Sequence, residues 1–244
     1  MANSDSNWRL WGERDPYYAV LTDPRFRDGS IEHNRRTFFE TGEVFIRHWL
    51  AQIEMHFGAL PRGRALDFGC GVGRLTLPLT DHFESVVGLD ISPAMLEEAR
   101  RNSVGRRINY LLSDDALSRA EGQFDFVNSF IVLQHIPVKR GLKVLNRLLE
   151  SVAPGGGCLI QFSIRRRHGW RHELLYRLRH RVPGGQALMN LLRGKAVDAP
   201  AMQMNEYSLD VVLRRFHECG FAKMLVRFED HGGTDTAMIL ARRS

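Results

Sequence analysis

The sequence predicts an α/β fold: a seven-stranded, mostly parallel sheet with helices on both faces, an N-terminal helical cap, and a basic helical insert between strands five and six. Three observations lead there. From Arg64 onward, short apolar runs alternate with helix-like stretches, as in parallel-sheet units. The first run ends in Asp67-Phe68-Gly69-Cys70-Gly71-Val72-Gly73-Arg74, a glycine turn of the kind that joins a strand to a helix. The 244 residues, 43% apolar and 25% charged, suit one ordinary domain and exclude disordered or collagenous chains.

Residues 1–62 carry no strand signal. Trp8, Trp11, Tyr17 and Tyr18 mark an aromatic arm, and Phe38, Phe39, Val44, Phe45, Trp49 and Ile53 fall at helical spacing, predicting a helix from about Thr41 to Phe57. Residues 63–164 form the core. Its strands are expected at Arg64–Asp67, Ser85–Asp90, Ile108–Leu112, Phe124–Phe130 and Gly157–Ser163, with helices over Val72–His82, Pro93–Asn102 and Lys139–Val152. Ser92 before Pro93 is an N-cap followed by the residue best tolerated at the first helical position, and the glycines after Pro154 stop the third helix. Residues 208–244 supply a helix over Leu209–Cys219 and strands near Ala222–Glu229 and Thr236–Ala241.

The formal charge of +6 is local in origin. Ser163–Lys195 holds nine arginines and lysines against one acid, Glu173, so the rest of the chain is slightly acidic. Within the insert (165–207), His172–Arg181 and Gln186–Arg193 each have an amphipathic pattern, broken by Pro183-Gly184-Gly185. The insert is expected to act as a lid over a substrate, with a peripheral membrane contact as its alternative. Nucleic acid is disfavoured, because only Trp170 and Tyr176 interleave aromatics with the charges. No apolar run reaches a membrane span and the first residues lack the pattern of a signal peptide, so a cytoplasmic location is expected. Cys70, Cys158 and Cys219 are too scattered for a disulfide framework or a metal site.

The glycine turn narrows the chemistry. A dinucleotide fingerprint beginning at Gly69 would need glycine at position 74, which is arginine. Asp67, at the end of the strand, would repel a pyrophosphate and favour an ammonium or sulfonium charge.

The segment Leu66–Arg74 resembles motif I of the class I, Rossmann-like methyltransferases that use S-adenosyl-L-methionine (SAM). Four further segments agree in order: Val86–Leu96, Ser113–Ala116, Phe124–Pro137, and Leu148 through Gly157. The resemblance implies SAM as cofactor, held by Asp67, Gly69, Cys70, Gly71, Gly73 and Arg74 in the loop. It implies Asp90 on the ribose hydroxyls with Ile91 and Met95 beside it, and Asp114, Asp115 and Ala116 at the adenine. Ser129 and Phe130 are expected to line cofactor and acceptor, and His135 is the candidate general base. The implied reaction is in-line transfer of the sulfonium methyl to a small-molecule, glycan or lipid-linked acceptor. The rival readings are an NAD(P)-linked oxidoreductase and a non-catalytic SAM- or nucleic-acid-binding module.

Overall fold

The computed structural model describes residues 4–167, 185–192, 194 and 196–244. Seven strands form one sheet: β1 (Arg64–Phe68), β2 (Ser85–Asp90), β3 (Ile108–Leu112), β4 (Phe124–Ser129), β5 (Val152–Arg166), β6 (Lys223–Asp230) and β7 (Thr234–Arg242). Their order is β3-β2-β1-β4-β5-β7-β6. All pairs are parallel except those made by β7, which is antiparallel to β5 and β6. The chain order reverses between β1 and β4, and this switch point is where an open α/β sheet leaves a crevice at the carboxyl ends of its strands. Asp67 and Asn128 are register partners there.

The helices are α1 (Ser4–Arg14), α2 (Pro16–Val20), α3 (Ile31–Phe57), α4 (Thr76–Leu79), α5 (Pro93–Asn102), α6 (Val138–Glu150), α7 (Gly185–Leu192) and α8 (Leu209–Glu218). On one face of the sheet, α6 and α8 bury Leu145, Leu148, Leu149, Val212 and Phe216 against Val127, Ile160 and Ile239. Each such aliphatic side chain contributes roughly 1.5–3 kcal/mol through the area it removes from water. On the other face, α3 lays Ile46, Trp49, Leu50 and Ile53 over Ala65, Phe126, Leu159 and Leu240.

Four expected boundaries move. The helix over Thr41–Phe57 begins at Ile31, because Ile31 and Phe38 anchor its first turns on the arm while the polar residues between them dilute the pattern. The helix over Val72–His82 shrinks to Thr76–Leu79. Gly71 and Gly73 sit at φ 53 and 90, outside the helical region, and Pro78 has no N–H to offer the Arg74 carbonyl. Phe130 leaves β4, since Ile131 turns into the left-handed region at φ 59. Strand five starts at Val152, where the Pro-Gly-Gly-Gly stretch expected as a stop runs along β4 through a register shift.

Among the described residues, no helix is long and apolar enough to cross a membrane. Of the nine basic residues in the charged segment, three are described, and all three face acids: Arg165 on Asp235 at 3.1 Å, Arg166 on Glu206 at 3.1 Å, and Arg167 on Asp230 and Asp235. The pattern over Gln186–Arg193 is realised as α7, while that over His172–Arg181, with Trp170 and Tyr176, lies outside the described residues.

Gly42 lets α3 rest on the carbonyl oxygen of Arg74, which a Cβ at that position would overlap. Gly42→Ala should therefore destabilise the fold by about 1–3 kcal/mol, read as a lower urea midpoint at unchanged m-value. An unshifted midpoint would mean that α3 does not seat there.

Candidate cofactor and active site

A cleft lies over the carboxyl ends of β1, β2 and β4 and measures about 990 Å3 including its open mouth, the size of a small-molecule site. Asp67, 2% exposed, is its fixed point. One carboxylate oxygen accepts from Thr76 Oγ1 at 2.6 Å and the other from Asn128 Nδ2 at 2.7 Å. Burial pushes this carboxyl up, while the two hydrogen bonds and the charge of Arg74 pull it back.

Arg74 is also buried, its guanidinium carbon 5.9 Å from the Phe45 ring centre and 5.8 Å from that of Phe130. Loss of water lowers its pKa to about 10, opposed by Asp67, so it is charged at neutral pH. One terminal nitrogen donates to Thr41 Oγ1 at 3.3 Å, and Nε has no partner. Asn128 Oδ1 is likewise buried and unpaired. Arg74 lines the cleft, so its orphaned donor, costly to leave unmet, would be met by a ligand carrying a carboxylate, whereas Asn128 lies behind Asp67 outside the wall.

At the other side of the loop, Asp90 accepts from the backbone N–H of Gly71 and of Ser92, each at 2.9 Å. Withdrawal from water still pushes its carboxyl up to about 6. Its oxygens keep acceptor capacity for hydroxyl groups on a ligand. Gly69 is required by its φ of 75 and by Val132, whose methyl groups a Cβ would overlap.

Most of the residues expected from the sequence meet in this cleft. The loop contributes Asp67, Gly69, Cys70, Gly71 and Arg74, β2 and its exit contribute Asp90, Ile91 and Met95, and Phe130 and His135 close the side beyond β4. Asp114 and Asp115 are both present, but each is already engaged. Asp114 accepts from the N–H groups of Ala116 and Ser118 at 3.1 and 2.9 Å and from the Ser118 hydroxyl. Both Asp115 oxygens lie 2.7 Å from Arg140 Nε.

Three expected residues are not in the cleft wall. Gly73 is turned toward Tyr110, whose hydroxyl a Cβ would approach to 2.7 Å. Ala116 contributes only its N–H, to Asp114. Ser129 follows Asn128 in the strand and so points to the opposite face, where its buried hydroxyl has no partner. The Cys70 thiol is buried and its pKa is pushed up by that burial, which keeps it protonated and inert.

His135 lies in the wall with both ring nitrogens engaged. Gln134 receives the Ser163 hydroxyl on its amide oxygen at 3.0 Å, which turns its NH2 toward His135 Nε2 at 3.2 Å. Nε2 is therefore an acceptor, and Nδ1–H donates to the Gln203 carbonyl at 2.6 Å. Burial lowers the pKa to about 4, so the ring is neutral at physiological pH.

Sequence reasoning passed over Thr76, Asn128, Gln161 and Arg140. The one available signal was an asparagine following an apolar pair in strand four. Gln161, 1% exposed, accepts the N–H of Ile131 at 2.9 Å on its amide oxygen, holding that strained turn, and its NH2 lies 3.3 Å from His231 Nδ1. His231 in turn meets Glu229 at 3.4 Å and the edge of Phe130.

The comparisons with known proteins agree with this geometry. Residues 65–156 match the family model described as a methyltransferase domain. The core is thus similar to a methyltransferase domain over these residues. Trans-aconitate 2-methyltransferase of Methylobacterium radiotolerans is 39% identical over 40% of the chain and 36% of its own length. Ubiquinone biosynthesis O-methyltransferase of Erwinia tasmaniensis is 30% identical over 50% of both. The matched stretches thus span half or less of these curated relatives. Across 99% of the chain and 100% of the neighbour, the methyltransferase fold superposes on magnesium protoporphyrin IX methyltransferase from Synechocystis PCC 6803 with bound SAH. The TM-score is 0.66 at 18% identity.

The state of Asp90 makes cofactor affinity pH-dependent. A hydroxyl donates to the ionised carboxylate, so affinity for SAH should be level above pH 7 and fall through about 6, by about tenfold for each pH unit once protonation dominates. Calorimetric titration between pH 5 and 8 checks this, and a flat profile would contradict it.

Proposed function

We propose that this chain transfers the sulfonium methyl of SAM to a small-molecule acceptor by in-line displacement. The observation that carries the reading is the pairing of Asp67 with the buried, half-satisfied Arg74 at one end of the cleft and Asp90 at the other. That spacing of charge suits an amino-acid moiety joined to a ribose. SAM supplies an activated methyl group whose leaving thioether is neutral and needs no acid.

The chain's own residues then have positional tasks. Asp67, held by Asn128, faces the ammonium, and Arg74 Nε donates to the carboxylate. Asp90 takes the ribose hydroxyls and fixes the rotation of the adenosyl unit. The two adenine candidates, Asp114 and Asp115, both line the cleft. Phe130 and Ile131, set by the Gln161 bond, form the wall where an acceptor would be held against the methyl. Holding reactants in line with water excluded provides much of the rate in such a transfer. With both nitrogens committed, His135 orders the turn after β4 rather than serving as the base, and a base is needed only where the acceptor must lose a proton. The relatives named for trans-aconitate and for ubiquinone biosynthesis support a small molecule as acceptor over a nucleic acid.

Two measurements test the reading. Asp90→Ala should weaken SAH binding by at least about a hundredfold, the loss of charge-assisted hydrogen bonds, with the circular dichroism unchanged; near-normal affinity would refute the ribose assignment. Arg74→Met should weaken SAH binding by roughly tenfold or more while leaving adenosine affinity unaltered, because adenosine lacks the carboxylate; equal losses for both ligands would remove Arg74 from that role. Wild-type binding of NADH in place of SAH would favour the oxidoreductase reading.

A further inference from the structure

We propose that the N-terminal arm is a lid over the cofactor cleft and that Arg140 is its latch, an inference that rests on the methyltransferase reading of that cleft. Part of the cleft wall belongs to the arm: Asp5 and Trp8 from α1, Ala19 and Val20 from α2. They line the cleft together with Gly71, Asp90 and Asp115 of the core. A ligand lying along the glycine loop is therefore covered by chain that precedes the core by some fifty residues.

The arm is held differently at its two ends. Its root is apolar: Tyr17, Phe26 and Phe38 pack with Val72 and Met95 of the core. Val20 rests so closely on Gly71 that a Cβ there would overlap its methyl group. The tip is polar. The Ser4 hydroxyl donates to the His135 carbonyl at 2.6 Å, and the Trp8 ring lies 4.6 Å from that of His135.

Arg140, on the first turn of α6, spans core and arm with one guanidinium. Nε donates to both Asp115 oxygens at 2.7 Å, and a terminal nitrogen donates to Asp5 at 2.5 Å. The Arg140 and Asp5 side chains are 26% and 24% exposed, so solvent screens the pair and its strength is modest. A latch that releases in each catalytic cycle needs that property. Between tip and root, α1 ends at Arg14 and Asp15 leaves the helical region at φ −156 before Pro16 opens α2, a break at which the tip can swing while the root stays packed.

The lid also carries the segment beyond α7. The Asn7 amide oxygen accepts from the Ala201 N–H at 3.0 Å and from Gln186 Nε2 at 3.1 Å, and Arg14 pairs with Asp198. Opening the tip thus breaks contacts to Gln186, Asp198 and Ala201, so cofactor exchange and the seating of those residues are linked.

Stopped-flow binding of SAH, followed by tryptophan fluorescence, tests the latch with Asp5→Asn, which keeps the size and removes the charge. A lid that shields both entry and exit predicts that association and dissociation rate constants both rise, by about threefold to fivefold, while Kd changes less than either. Asp5→Glu should restore rates close to those of the unaltered protein. High salt should bring the unaltered protein toward the Asp5→Asn rates as the pair is screened. A faster dissociation with unchanged association would make Asp5 a simple ligand contact and overturn the proposal, as would unchanged rates. Failure of the unaltered protein to bind SAH at all would instead overturn the methyltransferase reading.

Discussion

A buried carboxylate is the constraint on which the site depends. Asp67 sits out of water at the switch point of the sheet, and a charge in that position is tolerated only when its oxygens are met by donors. Thr76 and Asn128 supply them from the two elements flanking β1, and Arg74 supplies the countercharge from the turn between. The requirement fixes several features together: the register that places Asn128 beside Asp67, the start of α4 at Thr76, and the burial of an arginine against Phe45 and Phe130. Arg74 Nε remains unpaired in the cleft wall. The same economy explains why the loop differs from a dinucleotide turn. A pyrophosphate would meet Asp67 with like charge, whereas a sulfonium with an ammonium behind it meets an attractive one.

The second dependence runs from the core outward. The turn after β4 is strained at Ile131 and is held by a buried amide from β5, Gln161, which also faces the β6–β7 hairpin through His231. A neighbouring chain, Ser163 to Gln134 to His135 to the Gln203 carbonyl, ties the same turn to the segment that follows α7. These polar chains are satisfied along their length, so they stiffen the wall of the cleft. The histidine that looks like a base in the sequence is part of this scaffolding. The cap and the segment after α7 meet the core through it, so parts of the molecule far apart in sequence surround one cleft.

Much of the core was legible in the sequence because it is written in local patterns. Apolar runs of strand length, the Ser92-Pro93 helix start and the glycine turn all follow from steric and capping preferences of a few consecutive residues. Errors arose where neighbours in space decided. Val72–His82 has helical character, yet the left-handed glycines and Pro78 leave one turn of helix. Ser129 lies next to the right residue on the wrong face. Ile31 begins α3 because the arm offers it a partner.

The sequence by itself determined the fold class, the acid-and-glycine loop and the charge preference of its ligand, since these depend on residues adjacent in the chain and on the sign of Asp67. Only the tertiary structure decided that Asn128 and Thr76 hold that acid, that His135 has no free nitrogen, and that Asp5 and Trp8 belong to the cleft. Each of those depends on a contact between residues separated by tens of positions, and the hydrogen bonds and burial that define it exist only once the sheet has brought them together.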